Sequence, residues 1–135
     1  MSLHRAIKDA LFVHAKALPA AGAANNSATF DLGAGGYVPE ELEAEISIPA
    51  MSAHSDAAKN VVITVQDSAD DSSYSSLTLP AISVTFVGIA STGSAATVIK
   101  FRLPATVRRY VQFNQAVDSG GPTLTAKSIT YSLLF

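Results

Sequence analysis

The sequence predicts an all-β fold, a single-domain antiparallel β-sandwich (jelly roll) with an N-terminal arm at residues 1–10 and the sandwich domain at 11–135. Three observations lead there. From residue 27 onward, about seven or eight short segments rich in Val, Ile and Thr follow one another at about ten-residue spacing, the pattern of a sandwich and not of a helical or doubly wound fold. Turn clusters of Gly, Pro, Ser and Asp stand between them. At 135 residues, 48% hydrophobic and 15% charged, the chain can bury one core and not two.

The elements follow in order. Leu3, Ile7, Leu11, His14 and Leu18 recur at helical steps, while Leu11-Phe12-Val13 equally allows a strand, so the opening segment reads as an extended or mixed arm. Arg5, Lys8 and Lys16 around Ala10–Val13 do not make an export signal, because His14 and Lys16 break the apolar patch. Ala28–Leu32 alternates and stops at Gly33-Ala34-Gly35-Gly36. Leu42, Ala44, Ile46 and Ile48 share one face of a half-buried strand, with Glu43, Glu45 and Ser47 on the other, and Pro49 ends it. Val61, Ile63 and Val65 repeat the pattern before the polar run Asp67–Ser73. Ser75–Leu79, Val84–Ile89 and Thr97–Leu103 read as strands, the last two joined by a hairpin-like turn around Gly93. Val107, Arg109, Val111 and Phe113 then alternate with Arg108, Tyr110, Gln112 and Asn114. After the turn Ser119-Gly120-Gly121-Pro122, Ile129, Tyr131, Leu133 and Phe135 form the inward face of a last strand.

Composition narrows the function classes. A net charge of −2 gives no general affinity for nucleic acid or anionic lipid. The apolar runs fall short of the ~20 residues of a membrane-spanning helix. Without cysteine there is no disulfide, thiolate metal site or thiol nucleophile.

No constellation for catalysis or cofactor binding emerges. His4, His14 and His54 are not paired at metal-ligand spacing, and His54-Ser55-Asp56 holds triad residue types that consecutive positions cannot bring into triad geometry. Asp67, Asp70 and Asp71 are the best candidate for a calcium loop, but the spacing departs from alternating ligands, which favours a solvated turn. Gly33, Gly35 and Gly36 lack the lysine and following helix of a phosphate cradle. Of Arg108 and Arg109, alternation sends the two to opposite faces. If Arg109 follows Val111 and Phe113 inward, an acidic partner must lie close by.

Charge is segregated along the chain. Asp31, Glu40, Glu41, Glu43, Glu45, Asp56, Asp67, Asp70 and Asp71 are nine of the eleven acidic residues, and only Lys59 interrupts them. After residue 99, Lys100, Arg102, Arg108, Arg109 and Lys127 face only Asp118. Either the two halves form opposed surfaces that steer the protein onto a partner, or strand pairing interleaves them and cancels the asymmetry. On the first reading Arg5, Lys8, Glu41, Glu43, Glu45, Arg102, Arg108 and Arg109 are the candidate interface residues.

The run Ile99–Asn114 (IKFRLPATVRRYVQFN), with Gly120-Gly121, Leu124-Thr125-Ala126 and a final apolar strand, resembles the cement (decoration) proteins of tailed-bacteriophage heads, of the Bordetella-phage type. Ala15–Leu18, Asn26–Thr29, Asp31-Leu32-Gly33, the acidic turn of Val61–Ser73 and the step Leu79-Pro80 match in order and spacing, from about residue 9 onward. The N-terminal segment is longer and more basic than the family pattern. The resemblance implies a jelly-roll virion protein, made in the bacterial cytoplasm, that sits on the outer capsid surface and bridges major-capsid subunits against DNA pressure. It implies a homo-oligomer, a dimer before a trimer, and no enzyme activity or cofactor. The competing reading is a carbohydrate-binding sandwich module using Tyr37, Tyr74 and the Asp67–Asp71 turn, although the chain has no Trp and 7% aromatic residues.

Overall fold

Period-two alternation becomes two packed antiparallel sheets in the computed structural model, which describes residues 8–34, 42–51, 60–77, 84–87, 95–120 and 123–134. The strands are β1 (Lys8–Ala17), β2 (Ala24–Asn26), β3 (Phe30–Asp31), β4 (Glu43–Ile48), β5 (Asn60–Ser68), β6 (Ser75–Ser76), β7 (Val84–Val87), β8 (Thr97–Arg102), β9 (Tyr110–Val117) and β10 (Ser128–Leu134). The first sheet has the order β1-β10-β4-β8. The second runs β2-β9-β5-β6, with β3 also on β9 and β7 also on β5. All pairings are antiparallel.

The inward faces are those the alternation assigns. Ala44, Ile46 and Ile48 of β4 and Ile129, Tyr131 and Leu133 of β10 are buried, as are Val61, Ile63 and Val65 of β5 and Val111, Phe113 and Val117 of β9. Aromatic rings tie the layers together. Phe12 of the first sheet stacks with Phe30 of the second at 6.4 Å, Phe30 meets Phe113 edge-on at 5.9 Å, and Phe113 stacks on Tyr131 of the first sheet at 4.5 Å. Such pairs add stability beyond their area burial.

The opening segment is a strand, not a helix: β1 pairs with β10 from Lys8 opposite Leu134 to Ala17 opposite Ser128. Tertiary pairing overrides the helical spacing, and residues 8–10 belong to the sheet although the sequence places them in the arm. Residues 1–7 lie outside the described residues.

His14 occupies an inward position opposite Tyr131, its ring 4.6 Å from that of Phe30. Burial lowers its pKa below the ordinary 6.5, so the folded protein takes up this proton at lower pH than the unfolded chain. Its contribution to stability is complete above about pH 6.5 and declines as pH falls below that value. Thermal unfolding followed from about pH 8 to about pH 5 is expected to show that decline, and His14→Gln is expected to flatten it.

The expected hairpin between Val84–Ile89 and Thr97–Leu103 does not form. β7 pairs with β5 in the second sheet, whereas β8 pairs with β4 in the first. Cross-strand chemistry explains the choice, because in this register Lys100 lies opposite Glu45 and Arg102 opposite Glu43. Gly93 itself lies outside the described residues. Two boundaries also move: β5 runs on through Asp67 to Ser68, and β9 starts at Tyr110, leaving Val107–Arg109 in the connection from β8.

Candidate functional site

The candidate interface residues separate into groups. Arg5 and Glu41 lie outside the described residues, and Lys8 opens β1. Glu43, Glu45, Lys100 and Arg102 gather on the outer face of the first sheet, where Lys100 Nζ lies 3.5 Å from Glu45 Oε2. Glu45 is buried there beside Ser132, its neighbour on β10, while the Lys100 side chain remains half exposed.

Arg108 and Asp67 form the tightest charge pair. Asp67 Oδ1 accepts from Arg108 Nε at 3.0 Å and Nη2 at 2.7 Å, Asp67 Oδ2 accepts from the Arg108 backbone N–H at 2.9 Å, and Nη2 also donates to the Asp67 carbonyl at 2.7 Å. This lashes the β8–β9 connection to β5. Burial raises the Asp67 pKa, but the Arg108 hydrogen bonds and guanidinium charge outweigh it, and the net direction is downward. Asp67→Asn weakens these bonds to a group only 4% exposed, and an expected loss of about 1.5–3 kcal/mol is measurable by urea unfolding near neutral pH. The lowered pKa makes the wild-type bond fully effective above about pH 4 and lost as pH falls through the folded value, so the two proteins should converge in acid.

Arg109 is the more exposed arginine of the two, which decides what alternation left open and means that it does not follow Val111 and Phe113 inward. β9 begins one residue later, so the inward phase of Val111 and Phe113 does not extend to position 109. Its acidic partner is nonetheless present: Nε and Nη2 reach Asp31 Oδ1 and Oδ2 at 2.8 and 3.0 Å, and the guanidinium lies 5.0 Å from the Tyr110 ring centroid. Gly33 is spent here and not on a phosphate. A Cβ at Gly33 would sit 2.5 Å from Arg109 Nε, and its N–H donates to Asp31 Oδ1. Among the described residues Asp31, Glu45 and Asp67 of the acidic half each meet a cation of the basic half, as the interleaved alternative requires.

The acidic turn after β5 closes on itself. Asp70 Oδ1 accepts from Ser68 Oγ, Ser72 N–H and Ser73 N–H at 2.8–3.0 Å, which hold its carboxyl well below the usual range. Asp71 adopts the left-handed φ of 58° and accepts from the Tyr74 hydroxyl, which also contacts Thr29 Oγ1. With Asp67 held by Arg108, the three carboxylates do not converge. Among the described residues no group of three His, Asp or Glu side chains is placed to hold a metal ion. The two features assigned to sugar binding within the described residues, Tyr74 and this turn, are thus engaged with each other. Tyr37, His4, His54, Ser55, Asp56, Gly35 and Gly36 lie outside the described residues.

Two groupings escape sequence reasoning. On the outer face of the second sheet, Gln112 Nε2 donates to Gln66 Oε1 and Asn114 Nδ2 to Asn26 Oδ1, both at 2.8 Å, giving an uncharged ladder of amides. Between the sheets, Tyr131 Oη donates to Gln115 Oε1 at 2.7 Å, and Gln115 Nε2 donates to the Ala17 carbonyl at 2.7 Å. Gln115 shares the phase of Phe113 and Val117, and a polar residue at an inward position is the signal that marks it. No protein-family model matches the chain, and no curated protein matches it.

Proposed function

We propose that this chain is a structural virion protein that binds the outer surface of a tailed-phage head and, as a homo-oligomer, cements neighbouring major-capsid subunits. The observation that carries the reading is the strand order. The first and last strands lie side by side in one sheet, and the chain passes back and forth between β1-β10-β4-β8 and β2-β9-β5 with its satellites β3, β6 and β7, an order that supports the jelly-roll topology. The recognised run Ile99–Asn114 is a continuous piece of that architecture: edge strand, a connection fixed by Arg108 on Asp67, and central strand. Asp31, Glu45 and Asp67 are engaged by cations of the fold itself and the second sheet carries neutral amides, which suits a protein that covers a surface in many symmetric copies. Modest contacts become strong in aggregate when repeated over a lattice.

Cosedimentation of the purified protein with expanded empty heads of its phage tests this. Saturable binding at a fixed ratio per capsid subunit is expected, with little change between low and high salt, because Lys100, Arg108 and Arg109 already have carboxylate partners within the fold. Absence of binding to both immature and expanded heads overturns the reading.

A further inference from the structure

We propose that two copies of this chain dimerise by joining their β8 edges antiparallel about a two-fold axis at Ile99, making one continuous sheet from the two four-stranded ones. The inference specifies the homo-oligomer of the proposed function, but it concerns the isolated protein and is tested without a phage head. Strand β8 ends the first sheet, and among the described residues no strand lies beyond it. Its free hydrogen-bonding positions follow from the register. Leu103 N–H donates to the Leu42 carbonyl at 3.0 Å, so the odd positions of β8 bond to β4. The N–H and C=O groups of Val98, Lys100 and Arg102 then point to the open edge.

The other edges are blunted in ways natural sheets commonly use. β1 carries a register irregularity between Lys8 and Val13, and the outer strands of the second sheet are two to four residues long. β8 has six residues in unbroken register. Val98 on its outer face is 57% exposed, and Ile99 and Phe101 on its inner face are only partly buried at the rim of the core. This edge is long and regular, apolar at Val98, Ile99 and Phe101, with Lys100 and Arg102 as the only charges along its outer face.

The charges select the occupant and the register. A two-fold centred on Lys100 sets Lys100 against the partner's Lys100, and one centred on Phe101 sets Lys100 against the partner's Arg102, like charges that destabilise directly opposed strands. A two-fold centred on Val98 overlaps only positions 97–99 of each strand. Centred on Ile99, positions 97–101 pair with no like charges directly opposite. Ile99 then meets the partner's Ile99 and Thr97 the partner's Phe101 on the inner face, while Val98 lies under the aliphatic stem of the partner's Lys100 on the outer face. The arrangement is self-complementary, as an isologous interface must be.

The cysteine-free sequence makes the test specific to the axis. Ile99 and its symmetry mate form a non-hydrogen-bonded pair with a Cα separation of about 4.5 Å, within the range a disulfide spans. Under mild oxidation Ile99→Cys is expected to give a disulfide-linked dimer roughly a hundredfold faster than Val98→Cys, although position 98 is the more exposed. Sedimentation of the wild type should return twice the chain mass. Val98→Pro removes an edge-facing N–H, leaves the Lys100–Glu45 pair in place, and should sediment as a monomer with an unchanged far-UV spectrum. A monomeric wild type, failure of Ile99→Cys to link, or preferential linkage through Lys100→Cys or Phe101→Cys overturns the proposal.

Discussion

Phe113→Ala is expected to remove about 3–5 kcal/mol of unfolding free energy, the largest effect of any single substitution considered. The ring is fully buried, stacks at 4.5 Å on Tyr131 of the facing sheet and meets Phe30 edge-on at 5.9 Å. Truncation therefore loses the transfer free energy of the ring, leaves a cavity between the layers, and breaks the middle of the aromatic chain that runs from Phe12 to Tyr131. The sheets cannot close over the gap, because β9 pairs along its length with β5 and with the short strands β2 and β3. In urea titrations the midpoint should fall with little change in slope, since the surface exposed on unfolding is nearly the same. Phe113→Leu, which keeps most of the volume, should lose far less. A loss below about 1 kcal/mol for Phe113→Ala would mean that the stack does not hold the sheets together.

The inward faces were legible in the sequence because they depend on local alternation. Leu42, Ala44, Ile46 and Ile48, or Ile129, Tyr131 and Leu133, can face only one way once the segment is extended. What alternation does not contain is which strand lies beside which. β7 and β8 are consecutive and separated by small residues, yet their partners are set by long-range matches: Val84–Val87 lies along Asn60–Ile63, and Lys100 and Arg102 lie opposite Glu45 and Glu43. The same long-range pairing turned the segregated charges of the sequence into an interleaved set. Asp31, Glu45 and Asp67 come from the acidic half, and each meets a cation from the C-terminal half. The helical spacing of Leu3 to Leu18 lost to a vacant sheet edge at β10, where backbone pairing needs no particular side-chain period. The proposed function, which would reside in contact surfaces, leaves still less in the sequence, since no residue type is obligatory for it.

Gln115 and Tyr131 should behave as one unit. Burial pushes the Tyr131 hydroxyl far above its ordinary pKa, so it stays a neutral donor across the pH range in which the protein is folded. It donates to Gln115 Oε1, and Gln115 Nε2 donates to the Ala17 carbonyl, linking β10, β9 and β1 through the interior. Tyr131→Phe keeps the stack on Phe113 but strands the Gln115 oxygen without a donor, at an expected cost of about 1–3 kcal/mol. Gln115→Met preserves volume while leaving the tyrosine hydroxyl buried and unpaired, with a cost of similar size. The double variant removes both ends of the bond, and the Ala17 carbonyl still accepts from Asn25 Nδ2 at 3.0 Å. Its loss should therefore fall short of the sum of the single losses by about 1–2 kcal/mol, read from a double-mutant cycle in urea. Additivity within about 0.5 kcal/mol would show that the hydroxyl and the amide are satisfied independently, and the two sheets would then be held by apolar packing alone.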